Sequence, residues 1–387
     1  MTFAGVEAPS PATDDPRSEP TSGRIVWSVL TSLTSGGAEM LVVNLNRQFV
    51  EAGWQHRVIA LCDASELGNS EATESALRQR IEEAGGSFSS LGLSRSRNPL
   101  SASAAIRALL KSEKPDMVHL HTARAVPMMA LTNYRGPVCL THHNSRLSFP
   151  RHIFPILDAI VDEYVAISPE TADIYTRLSK RPVTRIANGP GEDFAAAAPR
   201  QSVGKPARIL SVGAISEQKN YRLLLNVART LASKLGSTEM PRFLIAGGGA
   251  DLDEFRAMAG TVPGDGAVQF LGERNDVPEL LDDADLFLNT SLYEGQSVAI
   301  LEAMAKGLPV VATDVPGNRD LIASGKNGLL CPIDKPGAIA EGIMRLVRNQ
   351  DDYRRMSEAA LDAGSRFSIG ETASRHLDLY SRLIAKK

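Results

Sequence analysis

The feature that most constrains the fold is a repeated order of apolar runs, glycine-rich turns and amphipathic segments. The run "RIVWSVLTSL" ends at "TSGGAE", a helical pattern follows in "AEMLVVNLNRQFVEAG", and "HRVIAL" is the next apolar run. Strand, turn, helix and strand in this order are typical of a parallel α/β sheet. The pattern therefore predicts a doubly wound sheet in the first half of the chain.

A second series of the same kind begins after a loop-like stretch near residues 195–205. Its apolar runs are "ARILSVGAIS", "RFLIAGGG", "VQFLGE", "DLFLNTS" and "PVVATD". A chain of 387 residues also exceeds one ordinary core. We therefore expect two Rossmann-like α/β domains, residues 24–200 and 201–365. Residues 1–23, rich in Pro, Ser, Thr and acids, are interpreted as a disordered leader, and residues 366–387 as an amphipathic C-terminal helix.

Bulk composition excludes several classes of protein. The net charge of -3 indicates no general attraction to nucleic acid, and no apolar run is long enough for a transmembrane helix. The three scattered cysteines form no metal-type pair and no evident disulfide framework. These features favour a cytoplasmic protein, with contact at the inner face of the cell membrane as one alternative.

Polar and flexible residues follow the predicted strands, where ligands bind in open α/β sheets. Gly36 and Gly37 end the first strand and open a helix, which suits close approach of an anion, although a simple tight turn explains them equally well. Lys219 in "SVGAISEQKNY" follows another strand and precedes a helix. A lysine there adds to the positive end of the helix dipole and suits a diphosphate, whereas a solvated surface lysine is the ordinary alternative.

Four histidines also lie at strand ends. His119 and His121 lie on the same face of the strand "VHLHT", because successive side chains alternate between faces. His142 and His143 end the next strand in "THHN". No carboxylate or cysteine accompanies them at the usual spacing of zinc ligands, so a hydrogen-bonding role at the edge of a cleft is preferred over a metal site.

Two glutamates stand eight positions apart in an apolar stretch. Glu294 follows the strand "DLFLNTS" directly, and Glu302 falls about two turns into the helix "SVAILEAMAKG", which Gly307 ends. A buried carboxylate without a partner is costly, but one that faces a crevice accepts hydrogen bonds from the vicinal hydroxyls of a sugar or ribose. The alternative is a pair of structural ion pairs, although Lys306 is the helix's only cation.

At this point the motifs match a known family. "EGQSVAILEAMAKGLPVVATDVPG" resembles the E-x(7)-E signature of retaining family-4 glycosyltransferases with the GT-B fold. "SGGAE", "VHLHT", "THHN", "SVGAISEQKNY" and "KNGLLCPID" match further motifs of that family in the same order. The resemblance implies two Rossmann-like domains that face a cleft, with the nucleotide-sugar on the C-terminal domain, the acceptor on the N-terminal one and the last helix crossing back.

The resemblance also implies roles for individual residues. Glu302 would hold the ribose, Glu294 the donor sugar, and Lys219 the diphosphate. His143 would lie near the reacting centre, so His143, Glu294 and Lys219 form the expected catalytic set. His121 and Asn144 are expected on the acceptor side. The expected donor site comprises Gly36, Gly37, Lys219, Arg274, Glu294, Gly295, Gln296, Ser297, Val298 and Glu302. No metal and no cofactor are implied, because cationic side chains and helix dipoles take the place of a divalent ion.

The chain departs from the family pattern at two places. Ala214 stands where an arginine commonly follows "VG", so Arg222, Arg274 or another residue would have to supply the second phosphate-binding cation. Gln296 and Ser297 replace the usual aromatic residue and glycine, which changes the wall of the sugar pocket.

The expected activity is transfer of a sugar from a nucleotide-sugar, in the first instance a UDP-sugar, to a saccharide or lipid-linked saccharide in bacterial polysaccharide or glycoconjugate synthesis. A nucleotide-sugar epimerase and a degenerate nucleotide-sugar-binding protein are the alternatives. A nicotinamide dehydrogenase is disfavoured, because the glycine spacing differs from the dinucleotide fingerprint and no acid follows at the usual interval. The segment 142–157 combines Arg146 and Arg151 with Phe149 and Phe154. It suggests either contact with an anionic membrane surface or a loop packed into the N-terminal core.

Overall fold

The computed structural model describes residues 23–67, 69–93, 99–196, 198–235, 239–264 and 266–387. Almost all of the predicted leader lies outside these residues. Within them the chain forms two parallel sheets, and the predicted boundary at residue 200 falls between Arg185, where the first sheet ends, and Arg208, where the second begins. The prediction of two α/β domains of Rossmann type is confirmed.

The first sheet has seven parallel strands in the order β3-β2-β1-β4-β5-β6-β7. Its strands are β1 Ile25–Leu30, β2 Gln55–Ala60, β3 Ser87–Ser90, β4 Met117–Leu120, β5 Val138–Thr141, β6 Glu163–Ala166 and β7 Val183–Arg185. The helices between them are α1 Gly37–Glu51, α2 Glu71–Glu83, α3 Pro99–Glu113, α4 Val126–Ala130, α5 Phe154–Asp158 and α6 Pro169–Leu178. The strand order reverses between β1 and β4, which are neighbours in the sheet but not in the chain.

The second sheet has six parallel strands in the order β10-β9-β8-β11-β12-β13 and reverses between β8 and β11. Its strands are β8 Arg208–Val212, β9 Arg242–Ala246, β10 Val268–Gly272, β11 Leu286–Asn289, β12 Val310–Thr313 and β13 Gly328–Cys331. Its helices are α7 Tyr221–Lys234, α8 Leu252–Ala259, α9 Val277–Asp283, α10 Val298–Ala305, α11 Pro316–Arg319, α12 Pro336–Arg348 and α13 Gln350–Gly364. Gly307, the predicted end of α10, has a φ of +70°, which favours glycine.

Four strands were not predicted as strands. β3, β7 and β13 lie at sheet edges, where a strand needs no long apolar run, and β3 reads "SFSS" while β7 has only three residues. β6 lies inside the first sheet but begins with Glu163, which is only 2% exposed. Its charge is balanced by a residue far along the chain, so the local pattern does not reveal a buried strand.

The last helix, α14 Ile369–Ile384, leaves the second domain and packs on the first. Tyr380 and Leu383 share a buried cluster with Val26 of β1 and Leu41 of α1. Tyr380 also bonds His119 through its hydroxyl, which lies 2.6 Å from Nδ1 of the histidine. The C-terminal helix is therefore part of the N-terminal core.

An ion pair fixes the end of this helix. Arg382 donates to both carboxylate oxygens of Glu163, at 3.0 and 2.8 Å, and Thr184 adds a hydrogen bond to the same carboxylate. We predict that Arg382→Ala lowers the free energy of unfolding by about 3 kcal/mol, because it leaves a buried carboxylate without its cation.

A matched control is Arg375→Ala on the same helix. Arg375 pairs with Glu371 one turn away, both side chains being more than half exposed, and such pairs contribute about 0.3–0.5 kcal/mol. Urea unfolding followed by circular dichroism measures both variants. Equal effects of the two substitutions would contradict a structural role for the Glu163 pair.

Candidate active site

The two points where the strand order reverses face one another across a cleft. The loop after β1 contains Gly36 and Gly37, and the strand β4 next to it leads to His121. In the other domain, the loop after β8 leads to Lys219 and the turn after β11 holds Glu294. A ligand that binds at the carboxyl ends of a parallel sheet uses such a crevice. A cavity of about 370 Å³ lies there.

Most of the predicted site residues line this cavity. Those that do are Gly36, Gly37, His143, Asn144, Lys219, Arg274, Glu294, Gln296, Ser297, Val298 and Glu302. Of the described residues in the predicted set, Gly295 and His121 lie just behind the wall rather than in it. The tertiary structure thus assembles residues that are up to 266 positions apart, from Gly36 to Glu302, into one space.

Lys219 and Glu294 form an ion pair across the switch point of the second sheet. Lys219 Nζ lies 2.7 Å from Glu294 Oε1. Ser291 donates to the same oxygen at 2.6 Å, and Gln218 Nε2 lies 3.4 Å from the other oxygen. Glu294 is 5% exposed, so these contacts hold a buried carboxylate in place. The alternative of a structural ion pair therefore describes Glu294 in this state, and its partner is the lysine expected to bind diphosphate.

The sequence suggested that Lys219 stands at the start of a helix, but the structure places it two residues before the start of α7. It ends a short turn of 3-10 type, Glu217–Lys219, and Asn220 in the left-handed conformation separates it from α7. The charge at the cavity consequently comes from the lysine side chain, held by Glu294, more than from the N-terminus of α7.

Glu302 has a different environment. It lies in the second turn of α10, nearer the helix start than predicted, and is 6% exposed. Among the described residues its carboxylate has no hydrogen-bond or ion-pair partner, because Lys306 pairs with Asp282 at 2.7 Å. Burial raises the pKa of Glu302 to about 8. A lone carboxyl at the wall of a cavity is a group that a ligand with donor hydroxyls would satisfy.

The turn between the two glutamates presses against the other domain. A Cβ atom on Gly295 would lie 2.7 Å from the backbone oxygen of His143 and 3.0 Å from Cα of Asn144, so only glycine fits. Ser297 caps α10 by accepting a hydrogen bond from Ile300 N at 3.4 Å. The N-terminus of α10 thereby opens into the cavity, where its dipole favours an anion.

The histidines form a row that runs from the cavity into the N-terminal core. His143 lies at the cavity, and its Nε2 is 2.9 Å from Nδ1 of His121. The ring of His121 lies against that of His119, with centroids 4.1 Å apart. Burial lowers the pKa of His143 to about 3 and the pKa values of His119 and His121 well below the ordinary range.

These rings are therefore neutral at physiological pH, and His143 offers a hydrogen bond rather than a positive charge. His121, expected on the acceptor side, instead supports His143 from behind, and its buried Nε2 has no partner among the described atoms. His142 points away, with its Nε2 3.1 Å from the carbonyl oxygen of Arg146. Within the described residues, no group of three or more histidine, cysteine or acidic side chains is arranged to hold a metal ion.

Ala214 lines the cavity together with Lys219, so the position that is commonly an arginine supplies no positive charge there. Arg274 lines the cavity, with Nε 2.7 Å from Oδ1 of Asp276. Arg222 instead pairs with Glu254 at 2.6 Å and does not line the cavity. Of the two candidates named from the sequence, Arg274 is thus the one placed to meet a ligand.

Several further residues of the cavity were not anticipated, among them Gln218, Asn188 and Arg80. Gln218 donates to the backbone oxygen of Tyr293 at 3.0 Å and accepts from Asn144 at 3.1 Å. Asn188 belongs to the segment between the domains, and Arg80 reaches the cavity from α2. A polar residue beside Lys219 at a strand end was a usable signal for Gln218, but nothing local distinguished Asn188 or Arg80.

The segment 142–157 does not expose its aromatic side chains. Phe154 is 1% exposed, and Phe149 packs against the same core cluster while its ring meets that of His142 edge-on. The interpretation of surface aromatics is therefore wrong for this segment, because both rings fill space above β5 and β6. Contact with a membrane stays a prediction. Among the helices of the described chain, none is long and apolar enough to cross a bilayer.

Comparison with known proteins identifies the family to which a chain with this site belongs. The model named Glycosyltransferase Family 4 matches residues 35–190, and the model named Glycosyl transferases group 1 matches residues 195–362. This chain is a glycosyltransferase with the GT-B fold. The family-4-like N-terminal region and the group-1-like C-terminal region correspond to the two sheets on either side of the cleft.

Curated relatives of this glycosyltransferase carry related names. The lipopolysaccharide core biosynthesis glycosyltransferase LpsE of Rhizobium meliloti is 26% identical over 359 residues, covering 91% of this chain and 96% of LpsE. The phosphatidyl-myo-inositol mannosyltransferase of Mycobacterium tuberculosis is 29% identical over 288 residues, covering 68% and 73% of the two chains.

Solved structures support the fold. HepE of Anabaena in complex with UDP-glucose superimposes with a TM-score of 0.77 at 18% identity, covering 93% of this chain and all of that one. TarM of S. aureus, in a complex that contains UDP, gives a TM-score of 0.76 at 15% identity with the same coverage. At such identities the likeness concerns the fold alone.

The raised pKa of Glu302 predicts a dependence of stability on pH. Between the ordinary pKa of 4.5 and about 8, the folded protein keeps a proton that the unfolded chain releases, so this carboxyl lowers stability as pH rises through that window. Glu302→Gln removes the effect. The thermal midpoint of the variant should therefore gain on that of the parent by several degrees from about pH 5 to about pH 8, since 1 kcal/mol is worth roughly 2–4 °C in domains of this size. A difference that is constant with pH would contradict a buried, unpaired Glu302.

Proposed function

We propose that this glycosyltransferase moves a sugar from a nucleotide-sugar, in the first instance a UDP-sugar, to a saccharide or lipid-linked saccharide, with retention at the anomeric carbon. The observation that carries the proposal is the convergence of Lys219, Glu294, Glu302 and the N-terminus of α10 on one cavity. A cation and a helix dipole suit the diphosphate, while two carboxyl groups suit hydroxyls of the sugar and the ribose.

The reaction asks the site to stabilise charge and to hold two substrates. The bond from the anomeric carbon to the diphosphate oxygen breaks, and the acceptor oxygen bonds to the same carbon on the same face. The acceptor proton passes to the departing diphosphate. Negative charge grows on that diphosphate, and Lys219 and the backbone N–H groups at Ser297 and Val298 are placed to receive it.

Glu294 has two tasks in this scheme. In the state described here it neutralises Lys219, which keeps both charges satisfied without substrate. When the diphosphate replaces Glu294 as the partner of Lys219, the carboxylate of Glu294 can accept hydrogen bonds from the donor sugar. His143 contributes a neutral polar group beside the reacting centre, because burial lowers its pKa to about 3.

Synthesis of a bacterial polysaccharide or glycoconjugate is the proposed setting. The name of the relative LpsE, which matches over 91% of this chain, supports an acceptor of the lipopolysaccharide kind. The complex of HepE with UDP-glucose supports UDP as the nucleotide. A lipid-linked acceptor would place the work of the enzyme at the inner face of the cell membrane.

A panel of nucleotide-sugars tests the proposal, with and without saccharide acceptors and with EDTA in a parallel series. We expect release of nucleoside diphosphate that requires an acceptor, survives EDTA and gives a product of the donor's anomeric configuration by NMR. Interconversion of sugars without an acceptor would instead indicate an epimerase, and binding without turnover a degenerate binding protein. Loss of activity in EDTA that Mg²⁺ restores would overturn the assignment of diphosphate to Lys219 and the α10 dipole.

The two glutamates should separate when each is replaced. Glu302→Ala is expected to weaken binding of the nucleoside diphosphate alone by up to about tenfold, since burial keeps this carboxyl protonated below about pH 8 and a hydrogen bond between neutral groups contributes roughly 0.5–1.5 kcal/mol. Glu294→Ala should leave that affinity within about threefold and lower kcat at least tenfold. Calorimetry and steady-state rates measure the two effects. If both variants bind and turn over like the parent, the assignment of the glutamates is wrong.

A further inference from the structure

The two connections between the domains meet beside the cleft. The forward connection runs through Ala187 and Pro190, and the return connection enters α14 at Ile369. Thr372 donates to the backbone oxygen of Ala187 at 2.9 Å, and the backbone N–H of Ile369 donates to that of Pro190 at 3.2 Å. These contacts tie the two connections together beside the cleft, and we call residues 187–190 the hinge segment.

We call residues 294–297, the turn between β11 and α10 that carries Glu294, the donor turn. One side chain of the donor turn reaches the hinge segment. Gln296 accepts a hydrogen bond from the backbone N–H of Asn188 through Oε1, at 2.6 Å. The backbone N–H can only donate, so the amide oxygen must face it and the orientation of the side chain is determined. Asn188 and Gln296 are 3% and 7% exposed, and a bond this well shielded from water persists when the cleft is closed.

The other end of the same amide remains available. Gln296 Nε2 has no partner among the described residues, although Gln296 lines the cavity between Glu294 and Ser297. An amide nitrogen at a cavity wall, with two hydrogens to donate, can take a ligand oxygen as its acceptor. The sugar of a nucleotide-sugar would bring hydroxyl oxygens to this wall, because the diphosphate lies toward the N-terminus of α10 and Lys219.

Resting on the proposed function, we propose that Gln296 is a positioning residue that couples closure of the cleft to recognition of the donor sugar. Its Oε1 holds the hinge segment at Asn188, and its Nε2 donates to an oxygen of the sugar. A hydroxyl at this position strengthens the closed state, and a donor that lacks it does not. The departure from the usual aromatic residue at this position thereby becomes a device for selecting sugars that carry an acceptor oxygen there.

Other contacts across the cleft provide a matched control. Thr73 of α2 donates through its hydroxyl to the carboxylate of Glu273 in the C-terminal domain, and neither residue lines the cavity. Thr73→Val removes one hydrogen bond between the domains, as Gln296→Met does, but at a distance from the hinge segment and the donor. A merely structural loss of closure would make these two variants alike.

The hinge contact is tested by amide hydrogen exchange in the full-length protein without ligand. The amide of Asn188 should exchange slowly in the parent, at least about threefold to tenfold faster in Gln296→Met, and unchanged in Thr73→Val, the range being that of one hydrogen bond. Gln296→Glu keeps an acceptor oxygen and should restore slow exchange. Unaltered exchange at Asn188 in Gln296→Met would overturn the proposal, and amides of β8 serve as a check that the variant is folded.

The sugar contact is tested by comparing two ligands, the nucleotide-sugar found active in the donor panel and its nucleoside diphosphate. Gln296→Met should raise KM for the nucleotide-sugar about threefold to tenfold, while Kd for the diphosphate stays within about twofold. Thr73→Val should change neither KM for the nucleotide-sugar nor Kd for the diphosphate. Equal loss of affinity for both ligands would overturn a contact with the sugar. Absence of transfer by the parent would overturn the proposed function, whereas the exchange experiment would still decide the hinge contact.

Discussion

The ion pair between Lys219 and Glu294 is the contact on which the site depends. It joins the chain that follows β8 to the turn that follows β11, two strands that are neighbours only because the sheet reverses its order there. Without substrate the pair solves an electrostatic problem, since a buried carboxylate and a lysine near a helix terminus each need a partner. Under the proposed function the same two groups would meet the diphosphate and the sugar of the donor. The resting structure is thus stable in an arrangement that a ligand with complementary charge can reorganise.

The N-terminal domain contributes polar groups that burial keeps neutral. The row from His143 through His121 to His119 ends at the hydroxyl of Tyr380 on α14, so the C-terminal helix supports the wall of the cleft opposite the donor. A charged histidine in this row would lack solvation, and the lowered pKa values express that cost. The cleft therefore combines the Lys219–Glu294 pair on its C-terminal side with neutral histidines and the guanidinium of Arg80 on its N-terminal side. This division suits an enzyme that stabilises a leaving diphosphate on one side and admits a hydroxylated acceptor from the other.

The glycine of the donor turn shows how closely the two domains approach. No side chain fits at Gly295, because His143 and Asn144 of the other domain lie where a Cβ atom would stand. Its neighbour Gln296 turns this proximity into a directional contact with Asn188. Shape and hydrogen bonding thus act together at one turn, and the turn is also the one that carries Glu294. These contacts between the domains and several residues of the proposed donor site consequently lie in the same short segment, residues 294–298.

The sequence by itself determined the repeated strands and helices, the two α/β domains and a set of site residues most of which line the cleft. Apolar runs such as those of β1 and β11 and the residues that follow them are local features, and local features are readable because they depend on near neighbours. The edge strands β3, β7 and β13 were missed because strands of three or four residues are too short to show such a pattern on their own. Only the tertiary structure decided which groups became partners: that Lys219 pairs with Glu294, that Glu302 stays alone, that His121 stands behind His143, that Arg382 balances the Glu163 carboxylate of β6, and that Asn188 meets Gln296. These contacts depend on strand order and on how the two sheets face each other, and both follow from long-range packing that no short stretch of chain encodes.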